Sequence, residues 1–324
     1  MENDYHPSRN IGLDLVRVTE TTALAAGRWV GSGDYEAAHR AATRAMHTAL
    51  NTLEMNGRIV VGEENRLGED LHLCKGEMVG NGRGPEVDLV VDPIDGTKLL
   101  VKGMPGAVSF VAVAPRDTMW SPAPAIYMDK IIVDKGAASA LVPECLDAPA
   151  AWTLALVARA KEKAIHDVTV VVLNRPRNQD LIEEIRTAGA RVLLQEEGDS
   201  EGALVAAVTH TSVDMLMGIG GAAQGLMSAC IAKATDGAML GRLAAQSEEE
   251  RLAVEAAGID ADRILTESDL VAGDEIFLAV SGITQTRLLK ELQFFSDRAV
   301  VHSLLIRSET RTRRFILAEH FMRV

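Results

Sequence analysis

The segment Val87-Asp-Leu-Val-Val-Asp-Pro-Ile-Asp-Gly-Thr97 decides how this chain is read. Residues 87–91 form a short β-branched apolar run, the pattern of a buried strand. A tight turn is expected next. Pro93 fixes its own φ and biases Asp92 toward extended geometry, and Gly96 permits close backbone approach. Two carboxylates three positions apart, Asp92 and Asp95, thus stand at a strand end where they can converge on one site. The carbonyl of Ile94 lies between them, and Thr97 adds a hydroxyl that can orient a water. Several hard oxygens at one turn suit Mg²⁺ or Mn²⁺ better than zinc, which prefers nitrogen and sulfur. A solvated turn uses the same residue types. The site reading is favoured by a second acidic strand end, Gly62-Glu63-Glu64, behind the strand-like Arg58-Ile-Val-Val-Gly62.

Outward from this segment the pattern is α/β. Helical spacing of apolar residues runs over 12–30, and Asp34 is a plausible N-cap for a second helix to about Met55. Further strands are expected at 107–114, 167–173 and 190–194. A helical segment at 179–188 between the last two predicts a parallel pair. A strand at 214–218 leads through Gly220-Gly221 into a helix at 222–235, and strands return at 275–280, 302–307 and 312–319. Residues 1–10 read as a polar, flexible tail. A Pro- and Ala-containing shift near 146–152 divides a metal-binding α/β half, 11–150, from a substrate-binding α/β half with C-terminal strands, 151–324.

Composition narrows the function. The 324 residues carry 33 Lys+Arg against 46 Asp+Glu, a formal net charge of −13, so the chain is a poor general binder of nucleic acid. An anionic protein that handles phosphate needs positive charge supplied locally, and a metal ion is one source. Cys74, Cys145 and Cys230 give no disulfide framework and no zinc-finger spacing, which fits a reducing cytoplasm. The longest uncharged run, 215–232, contains Gly218, Gly220, Gly221 and Gly225 and reads as a glycine turn in a soluble fold, not a membrane span.

The acidic motifs resemble the metal signature of the lithium-sensitive sugar and inositol phosphatases, and the whole chain is similar to the class II, bacterial type of fructose-1,6-bisphosphatase. Further matching stretches are Arg17-Val-Thr-Glu20, Gly80-Asn-Gly-Arg-Gly84, Ala125-Ile-Tyr-Met-Asp-Lys-Ile-Ile-Val133, Arg175-Pro-Arg177, Glu197-Gly-Asp199, Gly218-Ile-Gly-Gly221 and Ser281-Gly-Ile-Thr284. The resemblance implies a layered αβαβα sandwich and metal-dependent hydrolysis of the 1-phosphate of fructose 1,6-bisphosphate in gluconeogenesis. It implies metal binding by Glu63, Asp92, Asp95 and the carbonyl of Ile94, with His39 and Gln224 at two further ligand positions. Thr97 would position the attacking water, with Glu63 and Asp92 as its catalytic companions. The sugar phosphate would meet Asp95, Gly96, Thr97, Tyr127, Arg175, Arg177, Glu197, Gly198, Asp199 and Gly221. The two arginines suit this independently, because guanidinium forks bind phosphate bidentately. Beyond the sugar phosphate, the expected partner is a second copy of the chain, in a homo-oligomer.

The chain departs from the family pattern at the site itself. A metal-binding Asp aligns with His39, a catalytic Lys with Tyr35, a second acidic residue after Glu63 with Asn65, and the Glu of a Gly-rich turn with Gln224. Asp95 stands where the family has Glu, and Asp34 is placed to act for the missing acid. Three readings stay open at this point. The chain is a fructose-1,6-bisphosphatase, a paralogue retuned to another phosphorylated sugar or cyclitol, or a non-catalytic sugar-phosphate-binding homologue.

Overall fold

A computed structural model describes residues 11–63 and 72–321. Helices α1 (Gly12–Gly27) and α2 (Tyr35–Leu50) lead into strands β1 (Asn56–Val61), β2 (Met78–Val79) and β3 (Glu86–Asp95), the short helix α3 (Thr97–Val101) and strand β4 (Val108–Pro115). The chain then crosses to a second sheet. There β5 (Tyr127–Val133), α4 (Ala150–Ala160), β6 (Thr169–Leu173), α5 (Gln179–Thr187) and β7 (Arg191–Gln195) precede α6 (Asp199–Ala207), β8 (Met215–Gly221) and α7 (Ala222–Ala234). Strand β9 (Ala238–Leu243), α8 (Glu248–Ala256), β10 (Leu265–Thr266) and α9 (Glu267–Leu270) complete that part. The chain returns to the first sheet with β11 (Phe277–Gly282), β12 (Gln293–Phe294), β13 (Arg298–Arg307) and β14 (Thr312–Phe321).

The first sheet has the order β12-β13-β11-β4-β3-β1-β2, with β14 added on β13; the second has the order β10-β9-β5-β8-β6-β7. Both are mixed. β1 and β3 are parallel, as are β6 and β7, the pair anticipated from the alternating sequence, whereas β3 and β4 are antiparallel.

Strand alternation sorts the apolar residues into layers. On β3, Leu89 and Val91 pack with Leu15, Val18 and Met46 of α1 and α2, while Val90 faces the opposite way. There it joins Ala203 and Leu204 of α6, Leu226 and Ile231 of α7, and Ile132 and Val171 of the second sheet. The other face of that sheet, with Ile131, Val133, Val170 and Val172, packs on Leu154 and Val157 of α4 and Ile182 and Ile185 of α5. The resulting order is helices, sheet, helices, sheet, helices: the αβαβα sandwich that the resemblance implied, an α/β fold.

Local chemistry explains where elements stop. Asp34 caps α2, its Oδ1 accepting from the Ala37 amide at 2.9 Å, as the sequence predicts. The helix ends at Leu50, five residues before the expected end, because Asn51 closes it; its side-chain Nδ2 donates to the His47 carbonyl at 3.0 Å. The Asp34 carboxylate is exposed and engaged in capping. Asp34→Ala is expected to cost about 1 kcal/mol in urea denaturation, the ordinary loss for such a cap. A change below about 0.3 kcal/mol would contradict that role.

Candidate active site

β3 does not end at Val91 as the sequence suggests; it continues through the Asp-Pro-Ile-Asp segment to Asp95. The reason is a bulge. Asp92 stands opposite Phe110 and Asp95 opposite Val108, so three steps along β3 match two along β4. In a regular strand, residues three apart face opposite sides; the extra residue changes the parity and brings the two carboxylates to one side. Proline is tolerated here because a bulge interrupts the ladder. Asp92 Oδ1 accepts from the Ile94 amide at 3.1 Å, which sets the turn. Gly96 follows at φ +90°, a left-handed conformation suited to glycine, and starts α3. Thr97 Oγ1 donates to the Ile94 carbonyl at 3.0 Å, leaving the hydroxyl lone pairs to accept from another group.

Neighbouring elements close on this turn. β1 lies parallel to β3, with Val61 opposite Val90, so Glu63 and Asp92 leave adjacent strands at their carboxyl ends, the usual place for a site in such sheets. Glu63 is buried, with His39 Nε2 of α2 3.0 Å from its Oε2. Tyr35, one helical turn before His39, stacks on that imidazole with ring centroids 6.1 Å apart. Positions 35 and 39, where the sequence reading expects departures from the family pattern, therefore meet at the Glu63 corner. Glu64 and Asn65 lie outside the described residues.

From the other sheet, the start of α6 reaches the same turn. The Ser200 amide donates to Asp95 Oδ2 at 2.9 Å, and Glu197 Oε2 accepts from the Lys98 amide at 2.7 Å. Gly198 sits at φ +92°, where a Cβ would stand 3.5 Å from the Gly106 carbonyl and 3.6 Å from Asp95 Oδ2. Asp199 Oδ2 accepts from the Gly221 amide at 3.1 Å and from Lys130 Nζ at 2.6 Å, and that ammonium also donates to the Gly221 carbonyl at 3.2 Å. Asp199 Oδ1 is buried without a hydrogen-bond partner among the described residues. Tyr127 lies opposite Gly221 on the paired strands β5 and β8, with the Arg177 guanidinium 4.5 Å over its ring. Arg177 Nε also donates to the Ile219 carbonyl at 3.0 Å.

Two expected residues are less firmly tied in. Arg175 is half-buried and donates to the carbonyl of its neighbour Asn174 at 3.0 Å. Gln224 lies in the first turn of α7, where its Oε1 stands so close to Gly221 that a Cβ there would collide with it. The sequence reading missed Lys130, which is fully buried. Its signal was a lone lysine in an apolar strand, since a buried ammonium requires a paired anion.

The electrostatics follow from crowding. Burial, then the nearby charges of Asp92 and Asp199, push the Asp95 carboxyl well above its ordinary range, and the Ser200 amide only partly offsets this. Glu63, Asp92, Asp95 and Asp199 are all buried acids, and Lys130 and His39 are the buried basic groups beside them. Such a set of hard, anionic oxygens fits a divalent cation. Gly198→Ala is expected to cost about 1–2 kcal/mol from its left-handed backbone, read by thermal unfolding. A neutral substitution would mean that the loop relaxes away from Asp95.

Buried carboxylates at strand ends between two mixed sheets define an α/β protein with a candidate cation site. The family described as "Bacterial fructose-1,6-bisphosphatase, glpX-encoded" matches residues 9–320. Fructose-1,6-bisphosphatase 1 class 2 of Escherichia coli (strain K12) is 36% identical over 327 residues, covering 97% of this chain and 96% of that protein. Fructose-1,6-bisphosphatase class 2 of Shigella flexneri matches with the same identity and coverage. Among solved structures, an extragenic suppressor from Pyrococcus furiosus aligns with a TM-score of 0.32 and 11% identity, over 60% of this chain and 69% of its own. The chain belongs to the bacterial class II fructose-1,6-bisphosphatase family.

Proposed function

We propose that the chain is a phosphoric monoester hydrolase that removes the 1-phosphate of fructose 1,6-bisphosphate. The observation that carries this reading is the crowding of Asp92, Asp95 and Asp199, which raises the Asp95 carboxyl and calls for a cation at that point. The family is metal-dependent. We assign Mg²⁺ or Mn²⁺ to Glu63, Asp92, Asp95 and the Ile94 carbonyl, with His39 and Gln224 as further ligands. When bound, such an ion neutralises phosphate charge and lowers the pKa of a water.

The remaining work falls to the chain. Thr97, whose hydroxyl proton points to the Ile94 carbonyl, accepts a hydrogen bond from the attacking water and so orients it. Water adds to phosphorus, the bond to the C1 oxygen breaks, and the sugar alkoxide takes up a proton, leaving inorganic phosphate and fructose 6-phosphate. Arg175 and Arg177 bind the second phosphate. Asp199 Oδ1 accepts from a sugar hydroxyl, and Glu197, Gly96, Gly198, Gly221 and Tyr127 shape the sugar pocket.

One observation favours a second reading, retuning to another phosphorylated sugar or cyclitol: Tyr35 and His39 stack at the Glu63 corner, where the family carries a lysine and an acid. Phosphorus NMR on a panel of phosphorylated sugars separates the two. Loss of the 1-phosphate signal of fructose 1,6-bisphosphate, at a kcat/KM above that of the other compounds, supports the first. A better substrate elsewhere in the panel overturns it in favour of the second.

No helix among the described residues is long and apolar enough to cross a membrane. We place the protein in the cytoplasm, as a homo-oligomer. Support for self-association comes from β14, a ten-residue strand that pairs with β13 and exposes Phe315, Leu317 and Phe321. Sedimentation of L317E against wild type tests this, with a fall in mass expected and an unchanged mass contradicting it.

A further inference from the structure

A second cluster of ligand-type side chains lies away from the carboxylates. His47 in the last turn of α2, His72 and Glu77 each place one ligand atom within 4.8 Å of the others. His47 Nε2 is 3.1 Å and His72 Nδ1 3.6 Å from the same Glu77 oxygen, Oε1. Around a tetrahedral zinc with bonds of about 2.0–2.1 Å, ligand atoms stand about 3.3 Å apart, so both spacings suit a shared ion. The imidazoles stack nearly parallel with centroids 3.8 Å apart.

Two features show that the cluster is prepared for a cation. First, the Glu77 carboxylate is held from behind: Oε2 accepts from the Leu73 amide at 2.5 Å and from the Cys74 amide at 3.1 Å, leaving Oε1 toward the imidazoles. Such outer bonds are what orient a metal-binding carboxylate. Second, neighbouring groups hold the His47 ring in place. Asn51 Oδ1 accepts from the Gly80 amide at 3.1 Å, so its Nδ2 is the group that faces His47 Nε2 at 3.0 Å. His47 Nε2 also stands 3.1 Å from Glu77 Oε1, so both neighbours place the ring.

We infer that His47, His72 and Glu77 form a separate site for a borderline first-row cation of the zinc type. Nitrogen ligands make it unsuited to Mg²⁺. The site stands eight residues beyond His39 on α2, about 12 Å along the helix from the Glu63 corner. Its role is structural. The ion ties the end of α2 to the segment carrying Leu73, whose carbonyl accepts from the Glu63 amide at 2.9 Å. Gly62 is pressed on the same carbonyl, where a Cβ would collide.

The test uses full-length, chelator-stripped protein and Zn²⁺ as the probe, with histidine modification by diethyl pyrocarbonate mapped by peptide mass spectrometry. At free Zn²⁺ ten times the dissociation constant, His47 and His72 are modified about tenfold more slowly, by mass action. The exposed His166 and His210 keep their rates and serve as internal controls. Equal rates at His47 and His72 with and without Zn²⁺ overturn the site. Because the readout is local to each histidine, Zn²⁺ bound at the carboxylate cluster does not imitate it. Thermal unfolding gives a second measurement. Zn²⁺ raises the melting temperature of wild type more than that of His72→Gln, a change at a solvent-exposed side chain. The same rise in both proteins overturns the proposal.

Discussion

Asp92→Asn lowers kcat for phosphate release by on the order of 10³-fold, if several kcal/mol of transition-state charge stabilisation pass through this carboxylate. Asparagine keeps the size of the side chain and an oxygen to accept from the Ile94 amide, so the turn survives. What disappears is one negative charge next to Asp95, whose carboxyl is raised partly by Asp92 and therefore moves back toward its ordinary range. Relief of that repulsion leaves the folded protein at least as stable as wild type without added metal. Activity and stability thus separate, and the split distinguishes a functional carboxylate from a structural one. Steady-state kinetics beside a thermal melt provide the measurement. A loss of activity below about tenfold, or a loss that tracks unfolding, would remove Asp92 from the proposed chemistry.

Lys130→Met carries the largest expected cost in stability. Lys130 Nζ lies 2.6 Å from Asp199 Oδ2, and both side chains are at most 4% exposed. Removing one partner of a buried pair leaves an uncompensated charge, which costs about 3–5 kcal/mol. Methionine fills much of the same volume, so the loss is electrostatic and not a cavity. Urea denaturation of Lys130→Met, of Asp199→Asn and of the double variant forms a cycle. The double variant is expected to recover much of the single loss, because the neutral amide no longer needs the ammonium. A single-variant cost under about 1 kcal/mol would mean that water reaches Asp199 and replaces the lysine.

Much of the candidate site was legible because its chemistry is compressed into one segment. Asp92-Pro-Ile-Asp-Gly-Thr97 holds two carboxylates, a carbonyl, a flexible glycine and a hydroxyl in six residues, and the structure gathers all of them at one strand end. What could not be read was the bulge, which depends on the register of β4 and not on the residues of β3 alone. α6 escaped for a related reason. All nine of its residues are buried between the sheets, so it shows no polar face and no amphipathic period. The pair Lys130 and Asp199 is 69 positions apart, and the cluster of His47, His72 and Glu77 lacks any short metal-binding spacing. Contacts of that kind are made by topology. β5 is laid against β8 in the second sheet, and the 72–77 segment is folded back on the end of α2.

The most direct measurement is phosphate release from fructose 1,6-bisphosphate by purified, chelator-stripped protein before and after Mg²⁺ or Mn²⁺ is returned. The account predicts no turnover without a divalent ion and catalytic turnover with one of them, yielding fructose 6-phosphate. Folded protein that releases no phosphate with either ion, or that releases it equally well in the presence of excess chelator, would contradict it.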